Sequence, residues 1–251
     1  MVGLIRAEFR KLFSTQVWFW LLFATLALTA IAVVGQLAPS DGVTGPSGIR
    51  DVFVTADVAY IAVFVLGALS VTTEFRYQTI TPTVLATPSR WAVMAAKMIS
   101  YLIVGAGCAV VTVALEVAMA WPWLAAKGFH VSLGDHAIPS ALLGLFAVVV
   151  LMALVGMGVG ALLRNQIVAV VLGLVFLLFV QTIVAVIPYV KYAWAYLPAG
   201  AMHSLILGPA DDRVVNGVRV FSPVVGVLVL LVWAIVPAVI GAGITLNRDI
   251  T

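Results

Sequence analysis

Apolar stretches close to or above twenty residues recur along this chain from end to end, and they decide what it can fold into. A hydrocarbon core about 30 Å thick takes roughly 20 helical residues to cross. Inside lipid every backbone amide needs an internal partner, and runs this long without polar alternation exclude a β-barrel. Composition agrees, because 9% of the 251 residues are charged and 64% hydrophobic, whereas soluble domains carry about 25% charge. The expected fold is all-α: one polytopic membrane domain over residues 1–251. Six transmembrane helices are expected at Val17–Leu37, Val52–Thr72, Ala92–Ala120, Ile138–Leu163, Ile167–Ile187 and Pro223–Thr245. Six crossings put both termini on one side.

Basic residues orient such a bundle. Arg6, Arg10, Lys11, Arg76, Arg90, Lys97, Arg164 and Arg248 fall on one set of segments, offset only by Glu8, Glu74 and Asp249. Arg50, Lys127, Lys191, Arg213 and Arg219 fall on the other, with Asp41, Asp51, Asp57, Asp135, Asp211 and Asp212 on or near it. The first set is read as cytoplasmic, giving a multi-pass cell-membrane protein with both termini in the cytoplasm. The net charge of +3 then reflects topology and attraction to anionic membrane lipid, so no nucleic-acid partner is expected.

Two polar segments on that side invite a role. Over residues 1–16 a helix gathers Ile5, Phe9, Leu12, Phe13 and Gln16 on one face and points Arg6, Arg10 and Lys11 away. That is the pattern of an amphipathic helix lying on the membrane surface, with a plain orientation signal as the alternative. Residues 73–91 form a polar island between two apolar runs. Thr72 or Thr73 can cap a short helix there, Glu74 suits its first turn, and Pro82 and Pro88 break it. Phe75, Tyr77, Ile80 and Val84, with Arg76 and Arg90, suit a helix docking into a groove on a soluble protein.

Glu74-Phe75-Arg76, followed by Gln78-Thr79-Ile80 and then Leu85, Pro88 and Arg90, resembles the cytosolic signature of ABC-2 type transporter permeases. Ala7-Glu8-Phe9-Arg10-Lys11-Leu12-Phe13-Ser14-Thr15 is similar to their entry segment. Gly156-Met157-Gly158-Val159-Gly160-Ala161-Leu162-Leu163-Arg164-Asn165 resembles the end of their fourth helix. Tyr196-Leu197-Pro198-Ala199-Gly200 resembles the region before the last span, where short helices dip into the outer leaflet.

What this resemblance implies is a half-transporter. Two permeases make one pore, the second being a copy of this chain or a paralogue, with a separate ATP-binding-cassette subunit beneath each. Residues 73–91 would be a cytosolic coupling helix between spans 2 and 3. In it Glu74, Phe75, Arg76, Thr79, Pro88 and Arg90 would form or brace the ATPase contact, while Glu8, Arg10 and Lys11 brace the interfacial helix beside it. Changing Glu74 and Arg90 to Ala is expected to spare folding and disconnect ATP hydrolysis from transport. The cargo would be drug-like, peptide or lipid-like and would move outward. ATP and magnesium would be bound by the partner. The chain has no Gly-x-x-x-x-Gly-Lys-Ser/Thr loop, so neither a cofactor nor catalysis of its own is expected.

Polar side chains inside spans are the default functional candidates in a membrane protein, and Asp57, Glu116 and Gln181 qualify as a substrate path. Glu116 lies nineteen residues beyond Lys97, about 28 Å at ~1.5 Å per residue, which puts it near the outer interface. There it either snorkels to water or lines an outward-facing path. Gly156 and Gly160 make a small-xxx-small pair for a helix seam, within the chain or between copies. Pro237 should kink the last span. Residues 188–222 mix helix breakers with aromatic anchors and read as an external or re-entrant segment, by resemblance an outer gate and otherwise a connecting loop. His130, Asp135 and His136 lack a zinc-ligand spacing, so no metal is expected. The lone Cys108 can form no intrachain disulfide.

The alternative function is a secondary transporter or channel working without an ATPase, although residues 1–120 and 138–251 show no convincing internal repeat. A membrane-embedded enzyme fares worse, because His-Glu-x-x-His and Gly-x-Ser-x-Gly are both absent.

Overall fold

The computed structural model describes residues 1–37, 45–54, 58–79, 90–129, 138–207, 214–215 and 217–247. Its helices are α1 (Val2–Phe13), α2 (Val17–Leu37), α3 (Gly45–Val52), α4 (Tyr60–Arg76), α5 (Arg90–Ala126), α6 (Ile138–Leu163), α7 (Gln166–Val186), α8 (Pro198–Ile206) and α9 (Pro223–Asn247). A 3-10 segment, Val190–Tyr196, precedes α8, and a short antiparallel ladder, β1 (Val214–Val215) with β2 (Val218–Arg219), follows it.

Among the described residues five helices, α2, α5, α6, α7 and α9, are long and apolar enough to cross a membrane. The chain is an all-α, multi-pass membrane protein. The expected second span differs: α3 ends at Val52 and α4 begins only at Tyr60. With 17 residues, α4 reaches about 25 Å at ~1.5 Å per residue, less than the hydrocarbon thickness. The third span is longer than expected, with 37 residues from Arg90 to Ala126. Pro122 removes one internal hydrogen bond but does not end that helix. Ala120 and Leu124 on either side of it are buried in a cluster with Val33 and Leu37 of α2 and Ile49 and Val52 of α3.

The hub is α6, of whose most apolar window 72% is buried, against 17–33% for the other four apolar helices. Glycines explain this. A Cβ on Gly156 would stand 2.0 Å from the Phe64 carbonyl oxygen of α4, and one on Gly160 2.6 Å from that of Ala68. From the α4 side, a Cβ on Gly67 would stand 2.0 Å from the Ala153 carbonyl oxygen. Gly156 and Gly160 therefore face α4 of the same chain, with the backbones in contact, as small residues permit in a setting where apolar attraction is weak. On another side of α6, Gly158 meets Ala234 of α9 at 2.2 Å and Gly241 of α9 meets Ala161 at 2.4 Å, by the same measure. α9 runs through Pro237 without interruption.

By contrast α2 buries Thr25, Thr29, Val33 and Leu37, a stripe one helical turn apart. It leaves Phe19, Trp20, Phe23 and Ile31 exposed, as a lipid-facing helix should. It runs parallel to α5: Val33 and Leu37 cluster with Ala120 and Leu124, and Lys127 Nζ donates to the Leu37 carbonyl at 3.0 Å.

At the end opposite α1, α8 is inserted into the bundle. A Cβ on Gly144 of α6 would stand 2.2 Å from the Leu205 carbonyl oxygen, and one on Gly226 of α9 2.8 Å from that of Ala201. Both ends of α8 are held by side chains from elsewhere. Arg50 of α3 donates to the Ile206 carbonyl, and burial lowers the pKa of its guanidinium from the ordinary value against the opposing pull of Asp51. Gln181 Oε1 accepts from the Ala199 amide at 2.6 Å, one of the donors that a helix start leaves unpaired. A π turn over Phe176–Val180 comes directly before Gln181. Replacing Gln181 with Leu should lower thermal stability in detergent by about 1–3 kcal/mol, the cost of stranding a buried amide. A wild-type melting midpoint would show that this bond contributes nothing.

Candidate functional site

The site is built on the last turn of α4, where Thr72 and Thr73 turn their hydroxyls back onto the Ala68 and Leu69 carbonyls at 2.9 and 2.6 Å. Thr72 and Thr73 are therefore interior residues of α4 and cap no helix start, and Glu74 lies in a last turn rather than a first. The reason is that the apolar stripe of α4 continues its burial through Val71, Thr72 and Glu74, so the helix ends only at Arg76. Termination comes from a left-handed residue: Gln78 has φ 55°. The Thr79 amide bonds the Glu74 carbonyl at 3.0 Å and the Gln78 amide bonds that of Phe75 at 3.3 Å. This is a Schellman end with Gln where Gly is usual.

Glu74 points inward into a four-residue ionic cluster. Lys97 Nζ of α5 lies 2.8 Å from Glu74 Oε1 and 2.6 Å from Glu8 Oε2 of α1, and Lys11 Nζ lies 2.6 Å from Glu74 Oε1 and 3.0 Å from Glu8 Oε1. Lys97 also donates to the Ser70 carbonyl at 3.3 Å. The Glu8, Glu74 and Lys97 side chains are only 7, 5 and 4% exposed, whereas Lys11 is 42% exposed. Two carboxylates and two ammoniums balance, which is how so much buried charge is tolerated. Burial works to lower the Lys11 pKa, but the hydrogen bonds and charges of Glu74 and Glu8 outweigh it, so the net direction is upward from 10.5. A raised ammonium pKa keeps its contribution at neutral pH and loses it only as pH climbs through the folded-state value.

The two residues after Glu74 extend this grip. The Arg164 guanidinium, at the turn between α6 and α7, stands 5.8 Å from the centre of the Phe75 ring, and its Nη2 donates to the Gly241 carbonyl of α9 at 3.0 Å. Arg76 Nη1 donates to Gln166 Oε1 at the start of α7 at 3.1 Å. Three successive residues thus bind α4 to α1, α5 and the α6–α7 turn. Arg164 has φ 54° and Asn165 caps α7 by accepting from the Val168 amide at 3.1 Å, which brings α7 back beside α4 within two residues.

The structure redistributes the other expected residues. On α1 the buried face centres on Glu8 and Leu12, with Phe13 and Gln16 exposed instead of sharing the apolar face, and Arg10 exposed as expected. The helix stops too early to complete that face, because Ser14 and Thr15 return hydroxyl bonds to the Lys11 and Leu12 carbonyls. Phe13 stacks instead on Phe9 and meets the edge of Trp18. Lys11, expected to point away, is held by the cluster. Thr79 lies exposed just past the turn. Pro88, Asp57, His130, Asp135 and His136 lie outside the described residues, as does most of 73–91, and of Arg90 only the backbone is described, opening α5.

Glu116 is fully buried rather than snorkelling. In the α2–α5 register it comes one turn before Ala120, level with Thr29, and Thr29 is eight residues short of the α2 end, about 12 Å at ~1.5 Å per residue. The estimate from Lys97 placed it too far out because Lys97 sits in the ionic cluster beside α1, which precedes the first apolar span, and not at the edge of the hydrocarbon. Gln181 is spent on α8.

What sequence reasoning missed is the central role of Lys97, along with Arg164 and Gln166. The signal was there: an ionisable residue within an apolar run requires a partner, and Glu8 and Glu74 were acids assigned to the same side. No protein-family model matches the chain, and no curated protein matches it.

Proposed function

We propose that the chain is the membrane-spanning permease subunit of an ATP-driven ABC exporter, with the foot of α4 as its mechanical input. The observation that carries this reading is the grip of Glu74, Phe75 and Arg76, at the start of the polar island, on α1, α5 and the α6–α7 turn. Force applied at residues 77–91 enters all those elements together, as rigid-body transmission requires. In this reading α4 is a sixth, short crossing, both termini and the island are cytosolic, and the protein resides in the cell membrane.

Glu74 and Phe75 brace from within, while Tyr77, 67% exposed, presents a side chain to the ATPase subunit. ATP and magnesium bind to that partner. A second permease completes the pore, and drug-like, peptide or lipid-like cargo moves outward. Glu74 is an unsuitable place to test coupling, since its loss leaves the ammoniums of Lys11 and Lys97 on the single carboxylate of Glu8 and unbalances the cluster.

The test is to purify the chain from its native host under mild detergent and identify what comes with it. The expected result is a Walker-type ATPase, retained by the wild type and depleted at least severalfold in Tyr77→Ala at unchanged permease yield. A chain that comes out alone and transports without ATP overturns the reading in favour of a secondary transporter or channel.

A further inference from the structure

We infer that the cleft at the foot of α4 binds an anionic phospholipid from the leaflet on the α1 side. The cleft holds ≈ 460 Å³ and is lined by Leu66, Leu69, Glu74 and Arg76 of α4, with Lys11 and Val17 opposite. Its lining changes character along α4: leucines at 66 and 69, hydroxyls at Ser70 and Thr73, charge at Glu74 and Arg76, then Tyr77. This gradient covers about 16 Å at ~1.5 Å per residue, and it has the polarity of one phospholipid, with the tail level first and the headgroup level last. Val17, the first residue of α2, lines the same wall, so the cleft sits where the chain enters the membrane.

Charge selects the headgroup. Glu8 and Glu74 are neutralised by Lys11 and Lys97. Arg76 is then the surplus cation of the lining: it donates to the neutral Gln166 amide and lies over the Tyr77 ring. Among the described residues no carboxylate pairs with it. A guanidinium has five N–H donors and an ammonium three, so Arg76 and the half-exposed Lys11 keep donors for a phosphate. Basic pockets at the membrane surface hold anionic lipid by this combination of charge and apolar wall.

The experiment uses the full chain purified alone in neutral detergent, so its outcome does not depend on an ATPase partner. Dioleoylphosphatidylglycerol is titrated against dioleoylphosphatidylcholine and glycerol 3-phosphate, reading the thermal midpoint, with native mass spectrometry for retained lipid. The expected result is an upward shift with phosphatidylglycerol alone and its preferential retention. Arg76→Gln should need about fivefold more phosphatidylglycerol for the same shift, since each surface basic residue contributes roughly 1 kcal/mol. Equal shifts from both lipids, or an undiminished response in Arg76→Gln, overturn the site. A full shift from glycerol 3-phosphate overturns the lipid in favour of a soluble phosphate ligand. If Arg76→Gln does not fold, the wild-type comparison of the two lipids decides.

Discussion

Lys97→Met should destabilise the protein by about 3–5 kcal/mol, the range for removing one partner from a buried ion pair. Methionine fills most of the lysine volume, so little of that loss is a packing effect. What remains is Glu8 and Glu74, both within bonding distance of the single Lys11 ammonium, in surroundings where carboxylates cannot recruit water freely. Lys11→Met should cost much less, because Lys11 is partly solvated and Lys97 still bonds both acids. A double variant, Glu8→Gln with Lys97→Met, should be less damaged than the sum of its parts, since neutralising one acid relieves the repulsion left by losing the cation. Thermal unfolding in detergent checks all three. A Lys97→Met protein that melts with the wild type, or strictly additive losses in the double variant, would show that the cluster does not act as a unit.

Gly156→Val is the second large effect. The new Cβ would lie 2.0 Å from the Phe64 carbonyl oxygen and 2.8 Å from its carbon. Those are backbone atoms, which cannot rotate aside, so α4 must move away from α6. Overpacking typically costs 1–3 kcal/mol, and roughly that or more is expected at a helix–helix contact without slack. The displaced helix carries Glu74 at its foot, so the variant should also loosen the ionic cluster nearly three turns away. Gly107→Ala, on α5 with nothing within 4 Å of its Cβ, is the control and should be neutral. A double variant, Gly156→Val with Lys97→Met, reads the remote effect, since a cluster already loosened at the seam has less to lose with Lys97. If the two losses add strictly, the seam and the cluster are independent.

Much of the architecture was legible because lipid leaves so few options. Five apolar runs became five long helices, since nothing but a helix satisfies the backbone there. The second span was misjudged because hydropathy counts apolar residues and does not see where a helix starts: the window accepted Val52–Val58 as readily as Tyr60–Thr72. The island's first residues stand out from their flanks by polarity, but their orientation is not readable from composition. Whether Glu74 faces a partner or a neighbouring helix depends on which elements meet at the α1 end, and that depends on glycine contacts far along the sequence. The small-xxx-small pair named Gly156 and Gly160, while α4 as the helix they receive, and Gly67 as its reply, required three dimensions. Lys97, held in the ionic cluster beside α1, marks no hydrocarbon edge, and a depth counted from it sets Glu116 too far out.

The burial of α6 has a consequence for how the molecule is assembled. This helix is among the most apolar of the chain, with mean hydropathy 2.7, yet it is the one that ends up most enclosed by protein. Its hydrophobicity therefore serves entry into the bilayer more than residence there. Synthesis proceeds from the amino terminus, so α4 can seat on Gly156 and Gly160 as soon as α6 arrives, while Gly158 awaits Ala234, some seventy residues later in the chain. Until α9 emerges, a bare notch of backbone faces acyl chains, and a nascent protein halted at that point offers a ready foothold for a membrane chaperone or a protease.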